Sequence, residues 1–331
     1  MTGRTLQLPE GRDVVLFWIQ SERDTPAQAE VYERQVVGRC RAAASAYRMD
    51  LRLVTVDEIV VAQRDSGARV WVSGELVAPA TAFFHTKLVS WPAYRSDMLR
   101  HLTTYGVLEG AGFCVTVPPL HNIVSNDKLV SLLASQQPGI RTLPTVRLCT
   151  REVAAHPLVL DDWSLDFPVI VKPASWGSGM GVLVARSKPE LASVLQLAGA
   201  AELTLVIQPW LGPGTVDWRV YCVQGEPYTA MTRCAAPGRA AANVRLGGQA
   251  EITAPPPPLA ALARRVAASV GLPYVCVDFL AAGGDFWFSE IEVDGGTATG
   301  GAKLTEVRFG AYRQLFDSFV AAGPVKRWRY A

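Results

Sequence analysis

Residues 169–185 read VIVKPASWGSGMGVLVA, and this stretch decides how the rest of the chain is interpreted. An apolar run delivers Lys172, and a second apolar run follows a loop that contains Ser175, Gly177, Ser178, Gly179 and Gly181. Glycine lets the backbone approach a ligand closely, so successive N–H groups can face phosphate oxygens, and the lysine adds a positive charge. Because the lysine precedes the glycines and a strand follows them, the order excludes both a P-loop and the GxGxxG turn of a βαβ unit. The stretch predicts a phosphate-covering hairpin, with a purely structural turn as the alternative.

A second hairpin is predicted where YVCVDFL at 274–280 is followed, after AAGGD, by FWFSEIEV at 286–293. Side chains two apart share a face of a strand, so Glu290 and Glu292 point the same way, and Asp278 lies opposite Glu290 if the turn centres near Gly284. Three carboxylates this close repel one another unless a cation joins them, and Mg²⁺ binds carboxylates together with phosphate oxygens. The hairpin predicts a metal site, with pairing of the acids to arginines on a solvated sheet face as the alternative.

Arginines form the third set of candidates, because guanidinium groups bind carboxylates, phosphates and developing negative charge. The tripeptide DWR ends at Arg219, and the segment MTRCAAPGRAAANVRLGG carries Arg233, Asn243 and Arg245. A surface arginine taken singly usually has no such role, so these residues gain meaning only from the rest of the pattern.

The composition of the 331 residues is that of a folded, near-neutral protein. Hydrophobic residues make up 49% and charged residues 19%, which excludes a disordered chain. A net charge of +2 lacks the basic footprint of a nucleic-acid-binding domain. No run of about 18 apolar residues predicts a membrane span, and no signal peptide is expected. The six cysteines form no CxxC and the four histidines are scattered, so we expect free thiols in a reducing cytoplasm and no zinc site.

Strands that alternate with helices predict an open α/β lobe over residues 1–118, and Pro118-Pro119 marks its boundary. The predicted strands of this lobe are Asp13–Gln20, Leu51–Val56, Arg69–Val72 and Thr81–Phe84, and its predicted helices are Ala27–Tyr47 and Ser96–Gly110. Beyond the boundary the pattern predicts strands and hairpins, with helices at Asn126–Gln136 and Leu259–Val270.

The order of these features along the chain resembles the ATP-grasp superfamily, and most of all the carboxylate–amine ligases related to the ribosomal-protein glutamate ligase RimK. The shared features run from Asn126-Asp127-Lys128 through the Lys172 hairpin, IQPWL at 207–211 and DWR at 217–219 to Glu290-Ile291-Glu292. The resemblance covers about residues 118–300, and several motifs in register make it far more specific than any one alone.

The resemblance implies an α/β protein with the ATP-grasp fold, preceded by an N-terminal open α/β, or pre-ATP-grasp, domain. The first domain would be residues 1–118 and would help to bind substrate, and the ATP-grasp domain would be residues 119–331. Within the latter, about 142–211 would be a mobile lid over ATP and 212–331 the metal-binding part. The expected location is cytoplasmic, with no nucleic-acid or membrane partner, and a homodimer is left open.

The resemblance also implies a role for each matching residue. Lys128 and Lys172 would contact the phosphates of ATP, and the 175–181 hairpin would close over them. The adenine edge would meet the backbone of Gln208, Pro209, Trp210 and Leu211, and the ribose or hinge would be held by Asp217. The ligands of Mg²⁺, two ions in number with Mn²⁺ as a substitute, would be Asp278, Glu290 and Glu292. Asn243 would lie near the metals and phosphates, and the catalytic residues would be Lys172, Arg233 and Arg245, the two arginines lying near the acyl phosphate.

This chain departs from the family in its metal motif. The usual E-x-N is here Glu290-Ile291-Glu292, and VDGG follows where Pro-Gly is common. An alternative register would put Glu292 and Asp294 in the motif, so whether Asp294 joins the metal site is left open. Arg245 stands where close relatives often have histidine. These differences leave the substrate open but not the use of ATP.

The predicted reaction joins a substrate carboxylate, activated as an acyl phosphate, to an amine of an amino acid or peptide, with release of ADP and phosphate. Natural-product biosynthesis is one setting for it. His85 and Lys87, at the end of a strand, together with Arg219 are candidate substrate contacts, and an ordinary loop is the alternative for the first two. Two other functions are kept: an ATP-grasp enzyme with a hydroxyl or thiol nucleophile or a ring-closing reaction, and a non-catalytic ATP-binding partner protein.

Overall fold

A computed structural model describes residues 4–20, 30, 33–65, 67–88, 95–149, 166–236, 248–295 and 301–323. Its strands are arranged in four sheets, and helices cover them. None of the helices in these ranges combines the length and hydropathy that crossing a bilayer requires.

The N-terminal lobe is built on a parallel sheet with the strand order β3-β2-β7. These strands are β2 (Val14–Ile19), β3 (Met49–Val54) and β7 (Ala82–His85). All six residues of β2 are buried, because helices or further strands cover both faces of the sheet. A π-helical turn at Glu33–Val37 leads into α1 (Gly38–Ala46), and α2 (Arg95–Gly110) packs on the opposite face.

A second, mostly antiparallel sheet enlarges this lobe, and three of its four strands lie between β3 and β7 in the chain. Its order is β1-β6-β5-β4, with β1 parallel to β6. These strands are β1 (Arg4–Thr5), β4 (Ile59–Arg64), β5 (Gly67–Val72) and β6 (Glu75–Val77), and a short 3-10 helix at Val56–Glu58 directly precedes β4.

Two short helices connect the lobe to the rest of the chain. α3 (Pro119–Asn126) begins at the predicted boundary, with proline in its first turn. α4 (Lys128–Ala134) follows at once, because Asp127 has an extended backbone and its carboxylate accepts hydrogen bonds from the N–H groups of Leu129 and Val130. The predicted helix at 126–136 is therefore confirmed, with Asp127 as its cap.

The third sheet carries the glycine-rich hairpin. It has the order β10-β9-β11-β8 and consists of β8 (Val146–Cys149), β9 (Val169–Pro173), β10 (Leu183–Ala185) and β11 (Thr204–Pro209). Helix α5 (Lys188–Ala200) covers one face through Leu191, Leu195 and Ala198. The strand–loop–strand prediction for 169–185 is confirmed.

The fourth sheet has five antiparallel strands in the order β14-β13-β12-β15-β16. They are β12 (Val216–Val223), β13 (Glu226–Cys234), β14 (Gln249–Thr253), β15 (Tyr274–Ala282) and β16 (Asp285–Glu292). Helix α6 (Pro257–Val270), which ends at Gly271 in a left-handed conformation, packs on one face. Helix α7 (Gly301–Ala322) packs on the other and also contacts the N-terminal lobe.

The sequence predicted most of the described elements and missed several others, including the long helix α7. Both predicted hairpins and most strands are present within a few residues of their expected bounds. The predicted helix at 27–47 is helical over the described residues 33–46, and residues 21–29, 31 and 32 lie outside the described part. The elements not predicted are β1, β4, β6, β8, β14, α3, α5 and α7. The division into two domains stays a prediction.

Candidate active site

A row of charged side chains lies on the same face of the five-stranded sheet as α7. Alternation along the strands puts Arg219 on the same face as Tyr221, and Tyr221 packs in the core beside α7. Arg219 on β12 lies directly opposite Asp278 on β15, and Asp278 lies directly opposite Glu290 on β16. The predicted pairing of Asp278 with Glu290 is thus confirmed, but the turn lies at Gly283-Gly284, and a bulge between Asp278 and Phe279 produces the pairing.

Asp278 is the buried centre of this row. Its carboxylate accepts hydrogen bonds from Arg219 Nε at 2.9 Å and Arg219 Nη2 at 2.7 Å, and from Arg233 Nη2 at 2.9 Å. Burial alone would raise the pKa of Asp278, but the two guanidinium groups outweigh it and hold that pKa below its usual value. Asp278 therefore stays ionised although it is almost inaccessible to solvent.

Three further carboxylates of the row, those of Asp217, Glu290 and Glu292, also lie beside cations. Asp217 accepts from Arg233 Nη2 at 2.8 Å, and burial raises the pKa of Asp217 despite this contact. Glu292 Oε2 is 2.5 Å from Arg219 Nη1. Glu290 Oε2 is 3.6 Å from Lys128 Nζ. Arg219 thus bridges Asp278 and Glu292. The alternative that arginines neutralise the acids therefore holds for these two of the three candidate metal ligands.

The same three acids fit a magnesium ion by their chemistry, because carboxylate oxygens are ligands that this ion prefers. In the described ranges, however, no three acidic, histidine or cysteine side chains are grouped so that they could hold a metal ion. Mg²⁺ commonly takes only one or two protein carboxylates and completes its shell with water and phosphate oxygens. Glu290, Glu292 and Asp278 thus suit an ion that arrives with a phosphate ligand better than a bare ion.

The glycine-rich hairpin is attached to this row through Lys128. The Lys128 ammonium donates to the carbonyl of Trp176 at 2.7 Å, and its backbone N–H donates to Ala174 O at 3.0 Å. Within the hairpin, Ser178 has a φ of 58° and Gly181 a φ of 70°. A Cβ at Gly181 would lie 2.8 Å from Pro173 Cγ, so only glycine fits this close backbone approach. The predicted loop residues from Ser175 to Gly181 all lie in this turn.

Lys172 lies on β9 where the hairpin begins, opposite Val206 on β11. Burial, and then the neighbouring charge of Lys128, lower the pKa of Lys172 to about 8, against the attraction of Glu290, Asp217 and Asp278. A partly desolvated ammonium group of this kind binds an added anion more strongly than an exposed lysine does.

The segment that connects the hairpin sheet to the five-stranded sheet holds the predicted adenine contacts. Gln208 is buried, and its Nε2 donates to Thr145 Oγ1 at 2.8 Å. Gln208 Oε1 has no donor among the described residues, and the buried Nε of Arg233 has no acceptor there. Trp210 N donates to Pro168 O at 3.2 Å, and Pro209 pairs with Val169, which fixes the segment against β9. Leu211 follows directly and is half-buried.

The candidate substrate residues of the N-terminal lobe are less accessible than the sequence suggested. His85 is fully buried, with Nδ1 2.8 Å from Thr116 Oγ1, and Lys87 forms an ion pair with Asp294. The Asp294 carboxylate is therefore paired with a side chain of the N-terminal lobe. Asn243 and Arg245 lie outside the described residues.

A comparison with protein families now adds to this geometry. The model of the RimK-like ATP-grasp domain matches residues 125–306, which is more than half of the chain. The chain belongs to the RimK-like ATP-grasp family. The matched range contains every candidate nucleotide and metal residue described above, and the resemblance read from the sequence is confirmed.

Curated relatives match part of the chain. A probable alpha-L-glutamate ligase of Shewanella pealeana is 29% identical over 157 residues, which cover 47% of this chain and 34% of the relative. Beta-citrylglutamate synthase B of Mus musculus is 26% identical over 220 residues, which cover 65% of this chain and 55% of that protein. This ATP-grasp chain therefore spans about a third to a half of the length of these relatives.

A solved structure agrees with the fold over most of the chain. D-alanine–D-alanine ligase from Bacillus anthracis complexed with ATP has a TM-score of 0.65 at 15% identity, covering 94% of this chain and 100% of that one. The predicted fold class, an ATP-grasp fold that follows an N-terminal α/β lobe, is confirmed. ATP-grasp ligases use ATP and divalent metal ions.

Two features of the site could not be read from the motifs. The position of Arg219 between Asp278 and Glu292 depends on the pairing of β12 with β15, and these strands belong to different predicted hairpins. The cluster around Asp294 joins residues that are about 200 positions apart in the chain. The only signal in the sequence was that an arginine stands two residues after Asp217, on the same strand face.

Proposed function

We propose that this protein is an ATP-dependent ligase that joins a carboxylate to an amine through an acyl phosphate. The observation that carries the proposal is the position of Lys128, whose ammonium holds the hairpin carbonyl of Trp176 while lying 3.6 Å from Glu290. It connects the phosphate-covering hairpin to the carboxylate row, which is the arrangement that a metal–nucleotide complex requires. The orphaned N–H of Arg233 adds a buried donor for an oxygen ligand.

In the first step, an oxygen of the substrate carboxylate attacks the γ-phosphorus of ATP. The bond from that phosphorus to the β,γ-bridging oxygen breaks, ADP leaves, and an acyl phosphate forms. Lys172 and Lys128 would hold phosphate oxygens, so the protein contributes positioning and charge neutralisation. When bound, Mg²⁺ would supply additional neutralisation of the phosphate charge, and Glu290, Glu292 and Asp278 would hold it. Two such ions are part of the proposal.

In the second step, the amine nitrogen attacks the acyl carbon, the carbon–oxygen bond to phosphate breaks, and the nitrogen loses a proton. An amide and inorganic phosphate are formed. Arg233 would donate to the anionic oxygen of the tetrahedral intermediate, with Arg245 as its proposed partner. The closed hairpin would exclude water and protect the acyl phosphate from hydrolysis.

The proposed substrates are an amino acid or a short peptide. Support comes from the names of the relatives, which are a probable glutamate ligase and a β-citrylglutamate synthase. A second function, a nucleotide-binding protein without catalysis, is favoured by one observation: Arg219 contacts two of the three candidate metal ligands.

The test is a screen for ADP release with amino acids and short peptides as paired substrates, followed by mass spectrometry of the product. We expect substrate-dependent ADP release and a product whose mass equals both substrates minus one water. Glu290→Gln should abolish that release. Asp285→Asn is the matched control, because Asp285 begins the same strand but pairs with Arg141 on the surface.

The outcomes separate the two functions. Tight binding of ATP without ADP release for any substrate pair would favour the non-catalytic protein. Full activity in Glu290→Gln would remove this residue, and with it the metal site, from the proposal.

A further inference from the structure

A buried ionic cluster lies where the N-terminal lobe meets the five-stranded sheet. Its centre is Asp294, two residues after Glu292. The Asp294 carboxylate forms ion pairs with Lys87 and Arg308, and His85 Nε2 lies 3.3 Å from its Oδ1. His85 is the last residue of β7, Lys87 follows it by two residues, and Arg308 belongs to α7. One carboxylate therefore ties together the lobe, the last helix and the turn that follows the metal-ligand strand.

The cluster is largely shielded from solvent, since the side chains of Asp294 and Lys87 are only 13% and 18% exposed. His85 is fully buried and Arg308 is 1% exposed. The ring of Trp18 lies 4.3 Å from the ring of His85 and 5.6 Å from the Arg308 guanidinium. Burial lowers the pKa of His85 to about 4, so at neutral pH the cluster holds one negative and two positive charges. In such surroundings an ion pair holds its geometry, because a displaced charge would be left uncompensated.

The turn anchored by Asp294 touches the candidate active site on its other side. A Cβ at Gly295 would lie 2.5 Å from Arg219 Nη1 and 3.0 Å from Glu292 Oε2, so the backbone here is pressed against that ion pair. The carbonyl of Gly295 accepts a hydrogen bond from the Tyr274 hydroxyl at 2.5 Å. A shift of the turn would therefore move Glu292 relative to Arg219.

We propose that Asp294 is a positioning residue for the metal site, a role that rests on the proposed function. Asp294 holds the turn 293–295 against the N-terminal lobe, and the turn sets the position of the Glu292 carboxylate. Groups that orient a metal ligand from behind commonly change metal affinity by ~10–100-fold when they are removed. The sequence left open whether Asp294 is itself a metal ligand. Because its carboxylate already contacts Lys87, Arg308 and His85, we assign it the role of holding the turn and not of binding the metal.

The test compares three variants by the binding of a non-hydrolysable ATP analogue with and without Mg²⁺. Asp294→Asn removes the anchor but leaves two buried cations. Asp294→Asn with Lys87→Met removes the anchor and restores the net charge of the cluster. Asp13→Asn is the matched control, because Asp13 also joins the N-terminal lobe to α7, through Arg313 at 2.5 Å. Asp13 precedes the first residue of β2, whereas Trp18, which packs on the cluster, lies near the last. Thermal unfolding reports folding for each variant.

We expect Mg²⁺ to tighten binding of the analogue to the wild-type protein, and both variants that lack Asp294 to lose ~10–100-fold of that gain. The single variant should unfold at a lower temperature, and the double variant should recover most of the loss in Tm without recovering the effect of Mg²⁺. A double variant with the wild-type Mg²⁺ effect, or an Asp13→Asn variant that loses it equally, would overturn the inference alone. If the affinity of the wild-type protein for the analogue is the same with and without Mg²⁺, both the proposed function and the inference are overturned.

Discussion

Replacing Lys172 by methionine should stabilise the nucleotide-free protein and abolish its binding of nucleotide. Lys172 lies half-buried at the start of the glycine-rich hairpin, and burial together with the charge of Lys128 lowers its pKa from 10.5 to about 8. Methionine fills a similar volume without a charge, so the strand pairing of β9 with β11 should be retained. The two effects have opposite signs and can be measured separately.

The magnitude follows from the shift in the pKa of Lys172. A change from 10.5 to about 8 corresponds to ~3 kcal/mol in the free energy of unfolding. The sign is destabilising below pH 8, because the unfolded chain binds this proton more tightly than the folded one. The penalty is relieved as the pH rises from about 8 to 10.5. The side chain keeps some contact with water, so we expect a gain of about 1–3 kcal/mol and a rise in Tm of roughly 2–6 °C at neutral pH.

Calorimetric unfolding and titration with an ATP analogue measure these effects, with Lys188→Met as the control at an exposed lysine in α5. In the wild-type protein, affinity for the nucleotide should fall by ~10-fold between about pH 7 and pH 9, as Lys172 loses its proton. Lys172→Arg should flatten that profile, because a guanidinium stays charged. An unchanged or lower Tm in Lys172→Met would refute the burial argument, and wild-type affinity would refute the phosphate role.

Three further results are expected. Arg219→Met should bind Mn²⁺ without nucleotide at least ~10-fold more tightly than the wild-type protein, as followed by electron paramagnetic resonance, because the carboxylates lose their counter-charge; equal binding would contradict this. In the native protein only Cys149 and Cys234 should react with a thiol reagent, since the other four cysteines are buried, and labelling counted by mass spectrometry checks it. Ser187→Ala should cost helix α5 about 1 kcal/mol of local stability, seen as faster hydrogen exchange over residues 188–200, because Ser187 caps this helix; unchanged exchange would contradict the capping role.

The sequence predicted what depends on neighbours along the chain. The hairpin itself follows from one tight turn, at which Gly283 and Gly284 both have positive φ, but the pairing of Asp278 with Glu290 also needs the irregularity between Asp278 and Phe279, which the sequence did not predict. Alternation then places Glu292 on the same face. The glycine-rich hairpin is likewise a local feature, because its residue order alone distinguishes it from other phosphate-binding turns. Such elements can be read from the sequence because one stretch carries all their information.

The contacts that determine the chemistry of the site are not local. Arg219 reaches Asp278 across 59 residues, and Lys87 reaches Asp294 across 207. Both contacts depend on how strands and lobes assemble, and periodicity does not specify that assembly. For this reason three carboxylates looked like an uncompensated cluster in the sequence, whereas the folded protein brings an arginine from another strand between two of them.

The pairing of these acids with cations explains how several carboxylates can lie close together at a site that also suits a metal ion. The described row contains four carboxylates, Asp217, Asp278, Glu290 and Glu292, and four cations, Arg219, Arg233, Lys128 and Lys172, so the formal charges cancel. A bare divalent ion would have to displace a guanidinium and would leave the row with excess positive charge. Phosphate oxygens that arrive with the ion supply both its missing ligands and the negative charge that the displaced arginine needs. Metal and nucleotide should therefore bind to the protein together, because each offsets the charge that the other introduces.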